Sequence, residues 1–141
     1  GEYSDLDKEV IATAAKASLS ANSAIDRVAI SEAITSIWTL VDELNNYITV
    51  SEPWALAKDE ANRERLQTVL YCACEGLRAL TVLLSPVMPQ STNKLWAALT
   101  SGTLGELADQ DISNAGEWGQ LGSANVSELQ VLFPRIETKD E

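Results

Sequence analysis

The chain has 141 residues and carries 10 basic against 21 acidic groups, a net charge of −11, with hydrophobic residues at 45% and charged residues at 22%. That is the size and composition of one globular domain, able to bury about two-thirds of its unfolded surface with no need of disulfides or metal. There is no histidine, which removes Ser-His-Asp and Cys-His nucleophile systems and the commonest metal ligand; the acidic balance repels nucleic acid and anionic membranes at long range.

Helical periodicity governs the first hundred residues. Ser4, Asp5 and Asp7 make an acidic N-terminus for a first helix, which continues through the alanine-rich run Val10 to Ile25. Leu6, Val10, Ala14, Ala17, Ala21 and Ile25 are spaced at three and four. A second helix is predicted from about Val28 to Ile48. Its seam is Ile30, Ile34, Ile37, Val41, Leu44 and Ile48, with Ala33 and Trp38 widening it, opposite Glu32, Ser36, Asp42 and Glu43. Pro53 disfavours helix in the residue before it, so this helix stops near Val50, and Ser51 with Pro53 signals a fresh start. Residues 53–59 then give a short helix or turn.

A third helix is predicted from about Ala61 to Leu84. Leu66, Leu70, Ala73, Leu77, Leu80 and Leu84 form one stripe, and Val69, Cys72, Gly76, Ala79 and Leu83 form a second. Two apolar stripes mean burial on two sides, so this helix is the central one. Pro86 ends it, and Pro89 with Ser91 and Thr92 opens a last helix through Leu95, Trp96 and Leu99. Trp38 and Trp96 both sit at core spacing. Beyond Thr100 glycine becomes frequent and apolar residues sparse; Val126 to Phe133 reads as a short extended segment and Thr138 to Glu141 as a charged tail. The reading is an all-α antiparallel helix bundle over residues 1–100 with an irregular C-terminal arm over residues 101–141.

Cys72 and Cys74 point about 200° apart on a helix, too divergent to share a metal or to pair, and read as buried, reduced thiols of a cytosolic protein. The apolar run Leu77 to Val87 carries Arg78 and is too short to span a bilayer, and no cationic, apolar leader opens the chain. A soluble, cytoplasmic protein without membrane contact, metal or cofactor of its own is expected. Charge is uneven: residues 1–60 carry 4 basic and 11 acidic groups, residues 101–141 carry 2 and 8, and residues 61–100 carry 4 and 2. An anion therefore meets least repulsion between Lys58 and Lys94.

One stretch carries a chemical suggestion. Trp54 directly follows Pro53 at a helix start, with Lys58 four residues later. A rigid ring beside a cation suits stacking on an unpaired base with a phosphate nearby; a core tryptophan is the alternative.

Asn45-Asn46-Tyr47 followed by Pro53-Trp54-Ala55-Leu56-Ala57-Lys58 resembles the hallmark of the anticodon-binding domain of methionyl-tRNA synthetases. Leu83-Leu84-Ser85-Pro86-Val87-Met88-Pro89 resembles that family's helix end with two spaced prolines. Leu132-Phe133-Pro134-Arg135-Ile136-Glu137 is similar to the close of many bacterial members. The resemblance covers residues from about 5 to 137. It implies an all-α domain of the class I synthetase type that binds the methionine tRNA anticodon, with Trp54 at the anticodon site and Asn45, Tyr47 and Lys58 completing the RNA-binding set. Asn45, Tyr47 and Pro53 would also shape the helix junction. The family's catalytic signatures, one with histidines and glycine and one a Lys-Met-Ser-Lys-Ser loop, are absent. The resemblance therefore implies a segment that is inactive by itself, whose parent ligase uses ATP and methionine and whose partners are the parent's catalytic domain and tRNA. The other reading is a protein–protein interaction bundle of synthetase ancestry that no longer binds RNA. Charge favours that reading, and the intact Pro53-Trp54 motif favours the first.

Overall fold

A computed structural model describes residues 1–123, 126–129 and 132–134. Four helices dominate: α1 (Asp5–Asp26), α2 (Ile30–Ser51), α4 (Arg63–Leu84) and α5 (Pro89–Thr100), with the single turn α3 (Pro53–Leu56) between α2 and α4. There is no strand among the described residues, so the all-α expectation holds. The Val126 to Phe133 segment forms no ladder in its described part, and Gln130 and Val131 lie outside it. So do Arg135, Ile136 and Glu137 and the charged tail Thr138 to Glu141.

The helix ends follow local chemistry. The Ser4 hydroxyl accepts from the Asp7 amide while the Asp7 carboxylate accepts from the Ser4 amide, a reciprocal cap that starts α1. α2 closes where Glu52 turns left-handed (φ 45°), its amide donating to the Ile48 carbonyl, and Pro53 opens α3. α5 likewise starts at Pro89 and closes at left-handed Ser101.

α1 and α2 pack along their lengths, and α4 touches α1, α2, α3 and α5, which makes it the central helix. The α1 face is small, with Ala14, Ala17 and Ala21 buried, so α2 approaches closely with Ala33, Ile37, Leu40 and Leu44. Gly76 is set against Leu44: a Cβ there would fall 2.4 Å from a Leu44 methyl. The expected second stripe of α4 is the core stripe, with Val69, Cys72, Ala79 and Leu83 buried. Leu66, Leu77 and Leu84 are half-buried and Leu70 is exposed.

The α2 seam needs correction. Ile37 and Leu44 are buried, but Ile30, Ile34 and Ile48 are exposed and Trp38 is 53% exposed. The apolar arc of α2 is wider than the face its neighbours cover. α1 and α4 close over Ala33, Ile37, Leu40, Leu44 and Tyr47, and the isoleucines and Trp38 lie on the flank beyond. Trp96, the other tryptophan at core spacing, is buried and donates its indole N–H to the Gly105 carbonyl at 2.9 Å. Cys72 is buried and Cys74 half-buried, both free.

The arm is tied down by charge inside the protein. Glu75 and Arg78 are both buried on α4 and paired at 3.2 Å. Glu75 accepts from the Gly119 and Leu121 amides at 2.9 and 2.6 Å, and Arg78 donates to the Ala115 and Glu117 carbonyls at 3.1 and 2.8 Å. Further on, the Ser127 amide donates to the Ala98 carbonyl, and Leu132 and Phe133 line an apolar groove of about 250 Å³ with Leu77, Leu84, Met88 and Leu95.

Candidate nucleic-acid interface

The α2–α3–α4 junction carries the residues singled out from the sequence. Pro53 as the first residue of α3 has its φ fixed near the helical value and lacks the amide that would go unpaired there, so the turn forms at little entropic cost. The Ala55 and Leu56 amides both donate to the Glu52 carbonyl. Leu56 packs against the core and anchors the turn; no residue of α3 is fully buried. Trp54 therefore stands outward, 56% exposed.

The exposed ring removes the core-tryptophan alternative. A buried indole would be hidden from a ligand, whereas this one is open to solvent on a proline-started turn. Lys58 follows on the surface and makes no ion pair among the described residues. Asn45 is exposed in the penultimate turn of α2.

Tyr47 is different. It is 0% exposed, and its hydroxyl donates to the Asp7 carboxylate at 2.6 Å. A side chain so enclosed has no surface for RNA, so its expected place in the contact set is corrected to a place inside the junction. Burial, and then the bond to Asp7, raise the Tyr47 phenol far above its ordinary value.

Asp7 is the hub of this interior. Arg65, in the first turn of α4, grips its carboxylate with two nitrogens at 2.5 and 2.9 Å and also reaches the Ser4 hydroxyl at 3.1 Å. Burial by itself would raise the Asp7 carboxyl; the Arg65, Tyr47 and Ser4 hydrogen bonds outweigh it and hold the group well below the usual carboxylate range. Arg65 is raised in turn, chiefly by its hydrogen bonds to Asp7. Burial pushes the neighbouring Cys72 thiol up to about 11. The sequence reading missed Asp7 and Arg65, because an acid in a helix's first turn ordinarily faces water and the macrodipole.

These contacts also change the charge seen from outside. Arg65 and Arg78 are engaged internally and Arg63 pairs with Glu60 at 2.7 Å. Of the basic residues from Lys58 to Lys94 in sequence, only Lys58 and Lys94 make no ion pair among the described residues, and of these Lys58 lies at the junction while Lys94 lies on α5. Stacking, more than phosphate neutralisation, is what the junction can offer an RNA.

Among the described residues no three His, Cys, Asp or Glu side chains come together to hold a metal. No described helix is long and apolar enough to cross a membrane.

Comparison with known proteins agrees with this geometry. Residues 7–131 match the family model of the anticodon-binding domain of tRNA ligase. The methionine–tRNA ligase of Streptomyces coelicolor is 46% identical over 110 residues, covering 75% of this chain and 20% of that protein. The ligase of Clostridium perfringens is 35% identical over 136 residues, 96% of this chain and 20% of that one. Among solved structures, the free methionyl-tRNA synthetase of Mycobacterium tuberculosis superposes with a TM-score of 0.78 at 28% identity, over 99% of this chain and 27% of that one. The same enzyme in complex with methionyl-adenylate gives a TM-score of 0.76 at 29% identity, over 96% of this chain and 26% of that one. The chain spans about a fifth of the length of the ligases it matches. An all-helical bundle with an outward tryptophan behind a proline, matched over nearly its whole length, places the chain in the anticodon-binding domain family of tRNA ligases, as the domain found in methionyl-tRNA synthetases.

Proposed function

We propose that this domain recognises the anticodon of methionine tRNA for a methionine–tRNA ligase, with Trp54 stacking on an unpaired anticodon base and Lys58 beside a backbone phosphate. The observation that carries the reading is the half-exposed Trp54 ring on a proline-started turn. A pre-oriented ring loses little entropy on binding, and stacking on it is worth about 1–3 kcal/mol per base. Asn45, exposed near the end of α2, is available to hydrogen-bond a base edge. In this reading methionine and ATP are handled by the remainder of the ligase, and this domain supplies the tRNA contact at a distance from the chemistry. The helical bundle without RNA binding is the less favoured reading, since it leaves the outward Trp54 without a use.

The test is substitution in the full-length ligase that carries this domain. Trp54→Ala is expected to raise the Michaelis constant for tRNA by roughly 5- to 150-fold, the equivalent of one lost stack. The melting temperature should stay near that of the parent. The salt dependence of tRNA binding should hardly change, whereas Lys58→Ala should flatten it by about one unit. A folded Trp54→Ala variant with unaltered tRNA kinetics would refute the stacking role.

A further inference from the structure

The junction that carries Trp54 has little packing of its own. No residue of α3 is fully buried, Leu56 is its partly buried anchor, and the peptide before Pro53 sits in a left-handed conformation at Glu52. A non-glycine residue persists there only where surrounding structure over-determines it. Apolar contacts are poorly directional, so they do not define the angle at which so short a turn meets its neighbours. That angle depends on how the end of α2 and the start of α4 are held.

One side chain holds both. Asp7, with no solvent exposure, receives the Tyr47 hydroxyl from the last turns of α2 and the Arg65 guanidinium from the first turn of α4. Its other partners are the Ser4 amide and, through Arg65, the Ser4 hydroxyl. A carboxylate buried on a helix face that otherwise holds Val10, Ser18 and four alanines is a costly choice for stability alone, since a well-packed apolar side chain commonly does as well. What it adds is direction: a bidentate arginine and a phenol hydrogen bond each fix an angle.

Resting on the reading of Trp54 as the stacking residue, we infer that Asp7 is a positioning residue for anticodon recognition: through Tyr47 and Arg65 it sets the geometry in which α3 presents the Trp54 ring. Tyr47 and Arg65 act as its two arms, and none of the three touches the RNA.

The experiment is a double-mutant cycle in the full-length ligase, read on the Michaelis constant for tRNA, with methionine activation, which uses no tRNA, as the internal control. Tyr47→Phe keeps the ring and removes the hydroxyl, and Asp7 retains Arg65. It should raise the Michaelis constant for tRNA roughly 2- to 10-fold, the range of one lost hydrogen bond. In a Trp54→Ala background the same change should have no further effect, because the group it positions is gone. Arg65→Lys keeps the charge, loses the two-pronged grip and should behave in the same way; it decides the matter if Tyr47→Phe does not fold. Lowered melting temperatures with unchanged tRNA kinetics for both variants would overturn the inference, leaving Asp7 a purely structural group. So would a loss that persists undiminished in the Trp54→Ala background. If Trp54→Ala alone is silent, the stacking reading falls and this inference with it. An effective Trp54→Ala beside silent Tyr47→Phe and Arg65→Lys removes only the positioning role.

Discussion

The carboxylate of Glu75 and the guanidinium of Arg78, one turn apart on α4, meet at 3.2 Å with neither side chain open to solvent, and each also binds backbone of the C-terminal arm. The pair is thus a clamp on residues 115–121 as much as an ion pair. Removing one partner leaves the other charge buried and alone, so Arg78→Met should cost about 3–5 kcal/mol. Replacing both with apolar residues should recover only part of that loss, because the Gly119 and Leu121 amides would lose their acceptor. Denaturant unfolding of Arg78→Met, Glu75→Leu and the double variant checks this. Full recovery in the double variant would show that the arm does not depend on the clamp.

Gly116 lies where the arm crosses α1. A Cβ added there would come within 2.6 Å of the Ala15 Cα and 2.7 Å of the Ala14 carbonyl oxygen, both backbone atoms that cannot swing aside. Gly116→Ala should therefore destabilise by about 1–3 kcal/mol through overpacking. Gly102, also in the arm, has open space around its Cα but a φ of 80°. Substitution there should act through backbone strain and leave the α1 contact intact. Thermal melts of both variants, with proteolysis of the arm as a second readout, separate the two effects.

Depth in the core separates two leucines. Leu40 is fully buried between α1 and α4, and Leu40→Ala should cost about 2–5 kcal/mol. Leu77 is half-buried beside the groove that Leu132 and Phe133 line, so Leu77→Ala should fall at or below the low end of that range. Equal losses for the two would mean that the arm seals Leu77 as tightly as the helices seal Leu40.

Acid should act through Asp7. A carboxyl held below its unfolded value contributes stability that is complete above the ordinary carboxylate range, near pH 4, and is lost as pH falls through the folded value. Between about pH 5 and pH 2 the wild-type domain should lose stability more steeply than Asp7→Asn. At pH 7 the asparagine variant is the weaker protein, because Arg65 has lost its counter-charge, and the gap narrows as acid protonates Asp7. Denaturant midpoints across that pH range provide the check, and parallel curves would contradict it.

Much of this architecture was legible in the sequence because it rests on local signals. Pro53, Pro86 and Pro89 mark helix boundaries by local chemistry, a fixed φ and a missing amide, and the second stripe of α4 is the core face. The α2 seam failed for a tertiary reason. Its isoleucines satisfy heptad spacing, yet burial depends on which flank α1 and α4 cover, and the small alanine face of α1 draws α2 in on the Ala33 and Leu40 side. Trp54 was identified as the stacking candidate because proline fixes its setting. Tyr47 belonged to the same motif, but whether a motif residue faces in or out was decided by Asp7, forty residues away in sequence. The Glu75–Arg78 clamp had a faint signal: an opposite pair one turn apart, otherwise flanked by uncharged residues from Leu66 to Gln90.

The most direct measurement of the central claim is the affinity of the full-length ligase for two tRNAs that differ only in having the methionine anticodon or a permuted one, with and without Trp54→Ala. The wild-type protein should prefer the methionine anticodon, and Trp54→Ala should reduce this preference by roughly 5- to 150-fold, with the cooperative melt preserved. A preference that survives in the folded Trp54→Ala variant would contradict it.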